Sequence, residues 1–217
     1  MRKLLIGATA LSCFLGAAAN AAAIPYPDSG TYNTHTYTFT AAGSGDLVGY
    51  FVDGGAAGYE NQVGVLINGV FSPAGFGLDN HASAVGDSFN FGHVDSGDVL
   101  TFVLHNLSTD GYAYSNPALN VAYDYPGETN HNHVYSTVYA GGDPALTGVP
   151  AGIYVAFEDL AFPGSDYNYN DESFVFTNTH VEPASVPEPT SWALMLGGFG
   201  MVGGALRSRR KATVSFA

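Results

Sequence analysis

Residues 34–40 read Thr34-His35-Thr36-Tyr37-Thr38-Phe39-Thr40, an unbroken alternation. Successive side chains of a β-strand point to opposite faces. The threonines therefore share one face, and His35, Tyr37 and Phe39 share the other. Working outward, Asp98 to His105 reads DVLTFVLH and sets Leu100, Phe102 and Leu104 on one side. Gly152 to Phe157 aligns Ile153, Val155 and Phe157 in the same way. Residues 47–52, 62–71, 118–123, 133–139 and 173–177 also read as strands. Between these runs stand DGG, SPAG, DSG, TDG and GGDP, which are turn chemistry. No long stretch has the period of a helix. The expectation is an all-β domain over residues 24–180, an antiparallel β-sandwich of jelly-roll-like type. Residues 181–188 read as a Pro-rich linker.

Charge is distributed unevenly along the 217 residues. The six basic residues are Arg2, Lys3, Arg207, Arg209, Arg210 and Lys211, all near the ends. All 19 acidic residues lie between Asp28 and Glu188, where no Lys or Arg occurs. That excludes a Schiff-base lysine, an arginine phosphate clamp and the basic face that nucleic-acid binding needs. The carboxylates must be solvated, hydrogen-bonded, placed near a His, or bound to a cation such as Ca²⁺. The single cysteine, Cys13, sits in the N-terminal apolar run, so the domain itself has no disulfide.

The ends read as addresses. Met1-Arg2-Lys3, an apolar stretch to Ala19 and two A-x-A sites form a secretory signal peptide over residues 1–23. At the other end, Trp192 to Leu206 is apolar and glycine-rich. As a helix its fifteen residues span roughly 22 Å, short of a typical bilayer core. Arg207, Arg209, Arg210 and Lys211 would hold its end in the cytoplasm. Val-Pro-Glu-Pro from Val186, this short hydrophobic helix and Ser208-Arg209-Arg210-Lys211 together resemble the PEP-CTERM sorting signal of proteins handled by exosortase. The resemblance covers residues 186–211 and departs from the pattern only in the extra tail 212–217. It implies a Gram-negative exporter, transient insertion of the tail in the inner membrane, removal of the tail, and delivery to the cell surface or the exopolysaccharide matrix.

One segment concentrates hard oxygen ligands. Phe157 to Asp171 reads FEDLAFPGSDYNYND. Glu158 and Asp159 follow a strand, and Asp166, Asn168, Asn170 and Asp171 follow a glycine turn. Calcium takes six to eight oxygens, which this run supplies with no basic residue nearby. The run opens like an EF-hand loop, but Asp171 stands where the sharp-turn glycine belongs and Thr177 stands at position twelve. An equal reading is that these Asp and Asn residues only build turns. FEDL, a glycine turn, S-D-x-N-Y-N-D and the F-V-F strand resemble the C-terminal signature of a secreted bacterial β-domain without assigned function. The resemblance runs from about Tyr135 to Phe176. It implies an extracellular, calcium-binding domain with no established catalysis and with Glu158, Asp159, Asp166, Asn168, Asn170 and Asp171 as its motif residues.

Other chemistry is thinner. His131-Asn132-His133 would place two imidazoles on one face of a strand, able to share Zn or Cu, although a surface loop over residues 129–132 suits the sequence better. Asp-Ser-Gly at 28–30 and 95–97 mimics aspartic-protease loops, and Gly86-Asp87-Ser88-Phe89 mimics an esterase block, each without the required framing. Tyr112, Tyr114, Tyr123, Tyr125, Tyr135 and Tyr139 would be sandwich core or sugar-stacking surfaces. The expected function is a non-enzymatic, calcium-stabilised surface or matrix module that meets exosortase during processing and exopolysaccharide or surface proteins afterwards. The alternatives are a secreted hydrolase acting on polysaccharide or ester, and a His-based extracellular metal-binding protein.

Overall fold

A computed structural model of the chain describes residues 24–55, 57–128 and 130–183. The expected signal peptide and sorting tail lie outside these residues. Among the described residues no helix is long and apolar enough to cross a membrane.

Eleven strands form two antiparallel sheets. The strands are β1 (Tyr37–Ala41), β2 (Gly45–Asp53), β3 (Asn61–Ile67), β4 (Val70–Phe71), β5 (Ser88–Val94), β6 (Val99–Asn106), β7 (Gly111–Tyr114), β8 (Val134–Tyr139), β9 (Gly152–Phe157), β10 (Glu172–Phe176) and β11 (Thr179–Pro183). The first sheet has the order β11-β1-β6-β3-β4, with β7 also paired to β6. The second has the order β5-β2-β10-β9-β8.

The inward-facing residues of both sheets meet in one apolar core, which makes the pair a sandwich. Phe102 of β6 stacks on Phe176 of β10 at 3.9 Å between ring centroids, and Phe39 of β1 meets Phe102 edge-on at 5.0 Å. Leu100, Phe102 and Leu104 point inward as their alternation requires, and so do Ile153, Val155 and Phe157. The second sheet is covered on its outer face as well. Val52, Tyr154, Ala156 and Val175 pack there beneath Ile24, Leu146 and Val149.

Four readings change. Residues 62–71 are not one strand but the hairpin β3–β4. Asn68 (φ 50) and Gly69 (φ 79) take the two left-handed positions of its turn, which matches the right-handed twist of the strands. Residues 118–123 are not a strand, because Pro117–Ala122 is a 3₁₀ helix. Pro117 opens it, Asn116 Oδ1 caps it by accepting from Ala118 N at 3.1 Å, and its alternating Leu119 and Val121 face solvent. Ser88–Val94, of which only Ser88 and Phe89 were considered above as part of an esterase-like block, form edge strand β5. Residues 181–183, read as linker, pair with β1 as part of β11.

Candidate metal centre

β9 and β10 are neighbours in the second sheet, so the loop joining them brings its two ends together. The ladder runs one step past the strands, since Asp171 N donates to Phe157 O at 3.1 Å. Glu158 and Asp159 leave β9 where Asp171 and Glu172 enter β10. All four side chains are buried. Carboxylate oxygens of Glu158, Asp159 and Asp171 lie within 4.8 Å of one another. Asp159 N donates to Asp171 Oδ2 at 2.8 Å, and Asn61 Nδ2 donates to Asp159 Oδ2 at 2.7 Å. Glu158 is fully buried, yet neither of its carboxylate oxygens has a hydrogen-bond partner.

The loop between them is built by its own polar side chains. Ser165 Oγ accepts from Tyr167 N, Asp166 Oδ1 from Asn168 N, and Asn168 Oδ1 from Asn170 N, each at 3.1 Å. This run of turns places Tyr167 (φ 58) and Tyr169 (φ 51) in the left-handed region. Tyr169 is swallowed by the fold. Its hydroxyl accepts from Asn33 N at 3.0 Å and donates to Asn132 O at 3.2 Å. Asp159, Asp166, Asn168, Asn170 and Asp171 then line one open cavity of about 330 Å³ together with Ala57, Gly58, Tyr59 and Leu160. The turn-building role and the pocket-lining role thus fall on the same residues.

Electrostatics at this point is one-sided. Burial, with the charges of Asp171 and Asp166 beside it, pushes the Glu158 carboxyl up to about 8. Burial and Asp159 push Asp171 up to about 7. Burial also raises Asp159, although hydrogen bonds from Asn61 and Asp171 pull the other way. Glu172 is held well above the carboxylate range by burial, then by Asp79 and Asp159. Such a site is held neutral by protons or by a cation.

The supports reach far along the chain. His133 Nδ1 lies 3.0 Å from Glu158 O, and His133 Nε2 lies 2.9 Å from Asp124 Oδ1. Tyr123 donates its hydroxyl proton to Asp159 O. Both His133 nitrogens face acceptors, so an imidazolium paired with the Asp124 carboxylate satisfies them. Burial opposes the Asp124 charge, but hydrogen bonds from His133 and Phe162 N outweigh it and hold that carboxyl low. His131 stacks on Phe162 at 4.2 Å and lies 3.4 Å from Asp124 Oδ2. The two histidines do share a side, but what they share is Asp124. His133 is left without a lone pair for Zn or Cu. Residues 130–132 do form a loop with Asn130 exposed, but Asn132 at its end is buried and donates to the carbonyls of Asn33, His35 and Val134.

All six expected ligands come together around this place. Glu158, Asp159 and Asp171 form the tight trio, and Asp166, Asn168 and Asn170 stand around the cavity mouth. Two residues escaped the sequence reading. Asn61 arrives from the other sheet. Glu172, with both oxygens buried and unpartnered, shares its strand face with Phe174 and Phe176. The alternation of β10 was the available signal for Glu172.

Among known families, the PEP-CTERM protein-sorting motif matches residues 185–211. No curated protein and no solved structure matches the chain. The matched segment lies outside the β domain, so it speaks to export and sorting and not to the sandwich. It supports an exported, surface-directed protein that transits the membrane and is processed by exosortase.

Proposed function

We propose that this chain is a non-catalytic surface module whose β-sandwich is locked by a divalent cation, Ca²⁺ by ligand chemistry. The observation that carries this reading is Glu158, a fully buried carboxylate with no donor, within 4.8 Å of the oxygens of Asp159 and Asp171. A buried carboxylate trio without a basic partner is costly unless a cation or protons neutralise it. All-oxygen ligands, including the Asn168 and Asn170 amides at the cavity, suit calcium rather than zinc or copper. The cation would join the end of β9 to the start of β10 and hold the 160–171 loop beneath residues 57–59. Full burial keeps Glu158 from touching a substrate, which favours a structural role over general acid catalysis.

Thermal unfolding of the purified protein in EDTA and then in millimolar Ca²⁺ tests this. A ligand that binds only the folded state at a hundredfold excess over Kd stabilises by about 2.7 kcal/mol. The expected result is a rise of several degrees that Asp171→Asn removes. An unchanged melting temperature would return these residues to turn-building alone.

A further inference from the structure

We propose that the outer face of the first sheet is a binding platform for a polysaccharide whose pyranose rings carry protonated amines. This rests on the surface-module reading but not on the cation site.

The face is aromatic where an exposed sheet is ordinarily polar. Gln62, His105 and Tyr112 form one cross-strand row over β3, β6 and β7. His105 and Tyr112 lie parallel at 4.3 Å and 8°. Phe76 sits 5.1 Å from His105 and 6.1 Å from Tyr112, and Phe71 sits 4.8 Å from Phe76. Gly64 makes this possible, since a Cβ there would lie 2.8 Å from both the Phe71 and Phe76 rings. The Phe71 and Phe76 rings therefore rest on bare backbone, beside the stacked His105–Tyr112 pair, and the four form a strip. Phe71 and Tyr112 remain 38% and 37% exposed.

Carboxylates bracket the strip. Asp110 Oδ1 lies 3.1 Å from His105 Nε2, and Asp79 Oδ2 accepts from Gln62 Nε2 at 3.4 Å. No Lys or Arg occurs anywhere between Asp28 and Glu188. Such a surface repels polyanions and attracts cations. Aromatic faces flanked by carboxylates suit ammonium groups, through the ring quadrupole and the acids together. A spread, open strip does not enclose one ammonium as a cage would. Its exposed ring surfaces are those of Phe71 and Tyr112, with Phe76 between them, which suits the flat apolar faces of successive sugar units with an amine on each.

The test titrates the exported protein with a glucosamine hexamer, its fully N-acetylated counterpart and a lysine hexamer. The expected result is binding of the glucosamine hexamer, about tenfold weaker binding of the acetylated form, and no matching affinity for the lysine hexamer. Tyr112→Ala and Phe76→Leu should each weaken glucosamine binding by about tenfold. The leucine keeps Gly64 covered while removing the aromatic face, so a folding defect does not mimic the effect. Neither variant should alter the Ca²⁺-dependent rise in melting temperature, which separates failure here from failure of the cation site. Equal binding by the variants would reduce the interaction to net charge and overturn the proposal. Equal binding of the acetylated hexamer would overturn the amine requirement. A lysine hexamer that binds as tightly and loses as much in Tyr112→Ala would make the partner a basic peptide instead.

Discussion

Gly55 and Asn170 are in backbone contact: a Cβ added at Gly55 would lie 2.1 Å from the Asn170 carbonyl oxygen. Gly55 also has φ +56, which non-glycine residues adopt at a cost. Gly55→Ala therefore has to push Gly55 away from Asn170 and the 166–171 loop. It should destabilise the protein by at least about 2 kcal/mol and weaken Ca²⁺ binding by tenfold or more. Calorimetric titration beside a urea melt reads both. Wild-type affinity in a folded variant would show that the cavity wall is irrelevant to the site.

Glu158→Gln should separate stability from cation binding. The amide carries no charge and brings two donors into a group of acceptors. In EDTA the variant should be as stable as the wild type or about 1 kcal/mol more so. In Ca²⁺ it should gain nothing. A variant weakened in EDTA and still stabilised by Ca²⁺ would contradict the assignment.

The pH dependence has a definite sign. Carboxyls whose folded-state values are raised contribute stability that is full below their unfolded values, about 4, and is lost as pH climbs through the folded ones. For Glu158 and Asp171 those are about 8 and about 7. The metal-free protein should thus lose stability between about pH 4 and 8, on the order of a few kcal/mol. Ca²⁺ replaces the protons, so its stabilising effect should grow over the same window. Urea midpoints at pH 5 and pH 8.5, with and without EDTA, measure this. A metal-free protein more stable at pH 8.5 than at pH 5 would reverse it.

Asp124 behaves oppositely, because its carboxyl is held low and its contribution disappears as pH falls through that depressed value. Asp124→Ala leaves buried His133 without its counterion and should cost about 3 kcal/mol or more. Asp124→Asn, which keeps an oxygen acceptor, should cost less. An Asp124→Asn variant as stable as the wild type, read as urea midpoints, would argue against an ion pair.

Tyr169→Phe removes a hydroxyl that joins Asn33 N to Asn132 O. Burial leaves those groups no water, so a loss of about 1–3 kcal/mol is expected. Hydrogen exchange of the Asn33 amide should accelerate relative to amides of β9. Unchanged exchange would show that the loop holds without this anchor.

Local spacing made some of this structure legible and hid the rest. The alternations in β6 and β9 place the correct residues inward, because each strand has one face in the core. Asp166, Asn168, Asn170 and Asp171 are readable because they occupy one loop. Asn61 is not, because it reaches Asp159 across 98 residues of sequence when the sheets close. The Asn68-Gly69 turn is flanked by Val65-Leu66-Ile67 and Val70-Phe71, and these apolar neighbours let the two strands read as one. The 3₁₀ helix at Pro117 has alternating apolar residues that face solvent, so its pattern imitates a strand without burying one. His133 looked like half of a ligand pair, and only its position between Asp124 and Glu158 O shows otherwise.

The strand order also fixes a sequence of events during export. β10 sits in the middle of the second sheet, between β2 and β9, while β11 closes the edge of the first against β1. Both come from the last described residues, and the sorting motif begins at residue 185, two positions after β11 ends. A chain threaded through the membrane from its N-terminus delivers the keystone of the sandwich almost at the end of passage. The second sheet is complete only when Phe176 is through, and the first only when residue 183 follows. Completion of the barrier-forming core and arrival of the sorting tail at the membrane are therefore nearly one moment, so the processing step meets a domain that has only just become able to fold.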